Sequence, residues 1–156
     1  MNIKIIAVGK IKEKYTKEWI KEFEKRLSAY CSFSVEEISA EPILDENSYE
    51  KYKITEGEKI LSHIKQEAFV ITLEIKGKTM SSENFAQKIK EISLNGINEL
   101  IFVIGGANGL SQNVSDRADL KLSFSEMTFT HQMIRLILIE QIYRAFKIIN
   151  RETYHR

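Results

Sequence analysis

Leu100-Ile101-Phe102-Val103-Ile104 runs directly into Gly105-Gly106-Ala107-Asn108-Gly109. An unbroken apolar run closed by glycines reads as a strand buried on both faces. The pattern has two partners in the chain. Ile3 to Val8 is closed by Gly9, and Ala68 to Ile75 forms a third apolar run. Helical periodicity fills the intervals. Tyr15, Trp19, Phe23, Leu27 and Tyr30 suggest an amphipathic helix over residues 14–30. Phe33, Val35 and Ile38 suggest a half-exposed strand, and Pro42, Asp45 and Asn47 mark residues 40–48 as a loop. A helix is expected from Tyr49 to Ile64. Another runs through Phe85, Ile89 and Ile92, capped by Ser81 or Ser82 and stopped near Asn95-Gly96. A short polar helix over 111–117, a strand from Leu120 to Phe124 and a long helix over 131–150 complete the order. Alternating strands and helices with apolar strands predict an α/β fold: a mainly parallel sheet sandwiched by helices.

The last helix carries a second message. Met133, Ile134, Leu136 to Ile139, Ile142, Tyr143, Phe146, Ile148 and Ile149 cover more than one face. Polar residues form a narrow line through Glu140, Arg144, Lys147 and Arg151. A helix apolar on most sides needs cover on most sides, and a symmetric homodimer is the commonest way to supply it.

The chain has 156 residues, a length expected of one domain spanning 1–156. Apolar residues make up 43% and charged residues 29%, which excludes disordered and collagen-like chains. Formal charge is only +1, so net charge gives no nucleic-acid footprint. The charge is unevenly spread, however: residues 1–30 carry +4 and residues 131–156 carry +3. Basic ends can face a phosphate backbone, although a solvated lysine face is the simpler reading. The single Cys31 excludes an intramolecular disulfide. With an amino terminus too short in apolar residues for a signal peptide, it points to a reducing cytoplasm. No stretch approaches the length of a membrane span.

Several motifs fail. Gly77-Lys78-Thr79 has the ending of a phosphate-binding loop, but Thr72 stands where its first glycine is required. The glycines at 105, 106 and 109 do not fit a dinucleotide fingerprint. They mark a tight turn at the carboxyl end of a strand, where open α/β sheets bind ligands. His63, His131, His155 and Cys31 show no metal-ligand spacing, and no nucleophile elbow is present.

Taken together, Phe102 to Gly109, Leu122 to His131, Arg135, Tyr143-Arg144-Ala145 and the terminal Tyr154-His155-Arg156 resemble the RlmH (YbeA-like) family. Val8-Gly9-Lys10 and Thr72 to Lys78 fit as well, so the resemblance spans the chain. It implies the SPOUT methyltransferase fold with a C-terminal trefoil knot, an obligate homodimer and S-adenosylmethionine as cofactor. The implied reaction is methylation of N3 of a pseudouridine in 23S rRNA within the ribosome. The implied cofactor residues are Leu73, Gly105 and the segment Phe124, Ser125, Glu126, Met127, Thr128 and Phe129.

Attack by N3 requires loss of its proton, so a base or an anion-stabilising group is needed. The family tail assigns this to His155, with Tyr154 stacking on or orienting the base and Arg156 touching phosphate. Arg144 is a further candidate for RNA or anion contact. His131, at a helix start where a cation is disfavoured, is expected to be neutral and structural. Thr130 replaces the family's usual proline just before it. Lys14, Lys17, Lys21, Lys25 and Arg26 offer a possible phosphate-facing surface. The competing readings are a non-catalytic ribosome-binding factor and a generic nucleotide-binding module.

Overall fold

The computed structural model describes residues 1–42 and 44–154. The expected His155 and Arg156 therefore lie outside the described residues. The element order is β1 (Asn2–Val8), α1 (Lys14–Leu27), β2 (Ser32–Ile38), a short 3-10 turn (Glu46–Ser48), α2 (Tyr49–Ser62), β3 (Phe69–Thr79), α3 (Ser82–Leu94), β4 (Glu99–Ile104), α4 (Gln112–Arg117), β5 (Leu120–Ser123) and α5 (His131–Ile149). The strands form one sheet in the order β2-β1-β4-β3-β5, and every pairing is parallel.

Side-chain alternation builds two cores from the same strands. Ile3, Ile5 and Ala7 of β1 and Leu100, Phe102 and Ile104 of β4 face α1, α3 and α5. The intervening Ile6, Val8, Ile101 and Val103 join Ile60 of α2 and Val114 of α4 on the opposite face. This two-sided burial is why the central strands are apolar over most of their length, with Lys4 of β1 a half-buried exception. Each fully buried Ile or Leu contributes about 1.5–3 kcal/mol of hydrophobic stabilisation.

Helix α1 differs from its expected face. Its buried positions are Thr16, Ile20, Phe23 and Leu27, while Tyr15 is 70% exposed. Steps of four residues drift around a helix of 3.6 residues per turn, so Tyr15 and Leu27 cannot share one face. The helix also stops at Leu27, short of Tyr30. Helix α3 begins as expected: the Ser81 hydroxyl accepts from the Asn84 N–H at 3.1 Å.

Strand β3 runs further than its apolar stretch. It pairs with β5 through Ile71–Leu73, bulges, and pairs again at Lys78 and Thr79. Gly77 permits the return, since a Cβ there would lie 2.6 Å from the carbonyl carbon of Leu122. Gly77 is thus a backbone-contact residue, consistent with the failed phosphate-loop match.

Candidate functional site

A cavity of about 580 Å³ opens at the carboxyl ends of β3, β4 and β5. That volume lies within the usual range for small-molecule sites, about 300–1,000 Å³. Leu73, Glu74 and Ile75 come from β3, Ile104 and the 105–110 turn from β4, and Phe124, Ser125, Met127, Thr128 and Phe129 from the loop after β5. His131 and Ile134 of α5 close one wall. Residues expected at the cofactor from three distant stretches therefore meet in one place. Glu126 is the exception; it is exposed and does not line the cavity.

The glycine turn is shaped by its own backbone. A Cβ on Gly105 would lie 2.8 Å from the Gly109 carbonyl carbon and oxygen. The Gly109 N–H donates to the Gly106 carbonyl at 3.0 Å, closing the turn. Gly105 is required because chain meets chain there, whatever the cavity holds.

The loop after β5 braces itself. The Ser123 hydroxyl donates to the Ser125 carbonyl at 3.1 Å, and the Met127 N–H donates to the Ser125 hydroxyl at 2.9 Å. Thr130 caps α5, its hydroxyl accepting from the Met133 N–H at 3.2 Å. A side-chain cap thus marks the helix start. Met127 is 75% exposed at the mouth.

Only two ionisable groups are found among the described residues lining the cavity, Glu74 and His131. Glu74 accepts from the Thr72 hydroxyl at 2.7 Å and from the Ser115 hydroxyl at 3.0 and 3.1 Å. His131 is half-buried, and burial, followed by the charge of Arg135, holds its imidazole below the usual range. The expectation that His131 is neutral agrees with this, and its place is in the cavity wall.

One turn further along α5, Arg135 is completely buried. Its guanidinium donates to Glu37 Oε1 at 2.8 Å and to the Gly9 carbonyl at 3.0 Å. The same Glu37 oxygen accepts from the Ile11 N–H at 2.9 Å. This network ties the ends of β1 and β2 to the first turns of α5. In the sequence Arg135 stands out only within the resemblance, and the four-residue interval from His131 is the available signal.

Arg144 and Tyr154 form a separate cluster. The Arg144 guanidinium sits 4.9 Å from the Tyr154 ring centre and pairs with Glu140. Tyr143 meets the Tyr154 ring edge-on at 4.9 Å. Burial, and secondarily Glu140, raises the Tyr154 hydroxyl above its ordinary pKa, so it stays protonated. The chain leading to it is anchored: Tyr30 donates to Glu152 at 2.7 Å, and Lys147 pairs with the same carboxylate. Neither Arg144 nor Tyr154 lines the cavity. Among the described residues, no cluster of His, Cys, Asp and Glu could hold a metal, and no helix is long and apolar enough to cross a membrane.

Comparison with known proteins places this geometry in a family. Residues 1–155 match the family described as "Predicted SPOUT methyltransferase". The chain is 54% identical to a ribosomal RNA large subunit methyltransferase H from Carboxydothermus hydrogenoformans, over the full length of both. It is 52% identical, again over both full lengths, to a protein named putative ribosomal RNA large subunit methyltransferase H from Methanococcus maripaludis. A solved structure, a probable methylase family protein from Haemophilus influenzae, superposes with a TM-score of 0.55 at 12% identity. That match covers 99% of this chain and 70% of the other, and it bears on the fold alone. A parallel sheet with its cavity at the strand ends and these full-length matches give one conclusion: the chain belongs to the SPOUT methyltransferases, within the RlmH family.

Proposed function

We propose that this chain transfers the methyl group of S-adenosylmethionine to N3 of a pseudouridine in 23S rRNA, acting as a homodimer on the assembled ribosome. The observation that carries the reading is the cavity that gathers Leu73, Gly105 and the 124–129 segment at the strand ends. Its walls fit the cofactor. Apolar side chains and backbone groups suit an adenine, and the carboxylate suits a positively charged ligand. When bound, S-adenosylmethionine supplies a methyl group on an already activated leaving group. The protein's task is then mainly to position the acceptor and manage its proton.

In this reading Tyr154 stacks on or orients the target base, as aromatic rings do for unstacked RNA bases. The Arg144 guanidinium steadies that ring while paired with Glu140, and its contact with RNA requires exchange of that partner. His155 accepts the N3 proton or stabilises the anion, and Arg156 meets phosphate; both belong to the family tail. The exposed Lys17, Lys21 and Lys25 of α1 add to a phosphate-facing surface, whereas Lys14 and Arg26 are paired with Glu18 and Glu22.

Distance supports the homodimer. Arg144 is thirteen residues beyond His131 on one helix, roughly 20 Å at 1.5 Å per residue. In this reading a tail that acts at the cavity is supplied by a second copy. Exposed Met133 and Ile148 leave apolar surface on α5 for such a contact. We also assign the whole chain to one domain and, from the family, a knotted carboxyl-terminal half.

The experiment is to incubate the protein with methyl-labelled S-adenosylmethionine and unmethylated ribosomes, then digest the rRNA and identify the labelled nucleoside. Label in 3-methylpseudouridine at one 23S site is the expected result. Absence of label with folded, dimeric protein favours the ribosome-binding factor instead. Equal rates on free 23S rRNA and on ribosomes overturn the preference for the assembled particle.

A further inference from the structure

We propose that Glu74 is the residue by which the cavity distinguishes cationic S-adenosylmethionine from its neutral thioether product, S-adenosylhomocysteine. The inference rests on the cofactor reading above and goes beyond it to the specificity of the site.

Glu74 stands where β3 leaves its pairing with β5, in the bulge after Leu73. Its carboxylate is fixed by two hydroxyl donors, Thr72 at 2.7 Å and Ser115 at 3.0 and 3.1 Å. Thr72 is fully buried and Ser115 nearly so, which makes both donors rigid. Hydroxyl donors satisfy a carboxylate without cancelling its charge. No ion pair to Glu74 is present among the described residues. Lys76 and Lys78, on the same strand, make none with it.

The remainder of the wall leaves that charge uncompensated. His131, the other ionisable group there, is held toward its neutral form by burial and Arg135. Arg135 itself is spent on Glu37 and does not line the cavity. Glu74 is thus the acidic group of a wall that presents no lysine or arginine among the described residues.

The two ligands share adenine, ribose, ammonium and carboxylate. They differ by one methyl group and one positive charge at sulfur. A fixed anion in the wall acts on that difference, whereas its effect on the shared ammonium and carboxylate, opposite in sign to each other, is the same in both ligands and cancels from their ratio. A cavity of this size keeps a bound charge within roughly 10 Å of its wall. At an effective dielectric of about 20–40 the attraction favours the cation by about fourfold to fifteenfold. The same preference lets spent product leave.

The test measures dissociation constants for S-adenosylmethionine and S-adenosylhomocysteine by titration calorimetry on the full-length protein, its Glu74→Gln variant and its Glu74→Asp variant. Glu74→Gln is expected to lose about fourfold to fifteenfold in affinity for S-adenosylmethionine while S-adenosylhomocysteine changes less than twofold. Glu74→Asp should keep the preference. Equal weakening of both ligands overturns the proposal, because the carboxylate then serves a shared group. No change in either also overturns it. If the variants fail to fold, salt on the unmodified protein decides. Raising ionic strength should shrink the preference for S-adenosylmethionine, and an unchanged ratio counts against the proposal. If the unmodified protein binds neither ligand, the cofactor reading itself falls.

Discussion

The buried Arg135–Glu37 pair allows a prediction in which two substitutions at one contact have unequal costs. Arg135 is 0% exposed, whereas the Glu37 side chain retains 32% exposure. Dehydration is therefore borne almost entirely by the guanidinium. Replacing Glu37 by Gln leaves a buried cation holding the Gly9 carbonyl and a neutral amide, with its Nε already lacking a partner. Removing one member of a buried pair costs about 3–5 kcal/mol, and the exposure of Glu37 places this case near 3. Replacing Arg135 by Met fills the apolar volume and leaves the partly exposed Glu37 hydrated and still holding the Ile11 N–H; the Gly9 carbonyl loses its donor, so about 1–2 kcal/mol is expected. The double variant should resemble Arg135→Met, with most of the Glu37→Gln loss recovered. In a chain of this length about 3 kcal/mol corresponds to a fall in Tm of roughly 6–12 °C. Urea denaturation at pH 7.5 with a double-mutant cycle measures all three. The reasoning is refuted if Arg135→Met is the costlier single change, or if the double variant is as unstable as Glu37→Gln.

The lowered His131 pKa makes stability depend on pH. The unfolded imidazole titrates near 6.5 and the folded one below it, so the unfolded chain binds the extra proton first as pH falls. This contribution is whole above about pH 6.5 and is lost downward from there to the folded pKa; His131→Gln should flatten that part of a urea-midpoint profile. Gly105→Ala forces a Cβ against the Gly109 backbone, costing about 1–3 kcal/mol. It should also weaken S-adenosylmethionine at least tenfold by calorimetry; unchanged stability and affinity would contradict the turn's role. Cys31 is buried and its thiol is pushed up to about 11, chiefly by that burial. Labelling by a thiol reagent at pH 8 should therefore follow global unfolding across a denaturant series, and rapid labelling of native protein would count against its burial.

The parallel sheet was legible because β1 and β4 are buried on both faces, leaving runs such as Ile3–Val8 that are hard to read otherwise. The caps at Ser81 and the stop at Asn95 were equally local. The length of β3 was not legible, since Lys76-Gly77-Lys78 are polar and their strand geometry depends on β5 being alongside. The face of α1 was misread for a reason of period, as Tyr15 shows. The gathering of Leu73, Gly105 and Phe124 came from family resemblance; taken singly, Leu73 and Phe124 look like ordinary core residues. Arg135 illustrates the remaining limit. A charged residue on an apolar helix reads as surface until its partner, 98 positions away, is known.

The two outer strands constrain how copies of this chain can meet. β5 is four residues long, and β3 bulges beside it. At the other border, β2 displays Glu36 and Glu37, with Lys4 and His63 gathered around Glu36. Short, kinked or charged borders resist hydrogen bonding to another sheet. Any association between copies is therefore directed to the helices, because the sheet margins offer no template for indefinite growth.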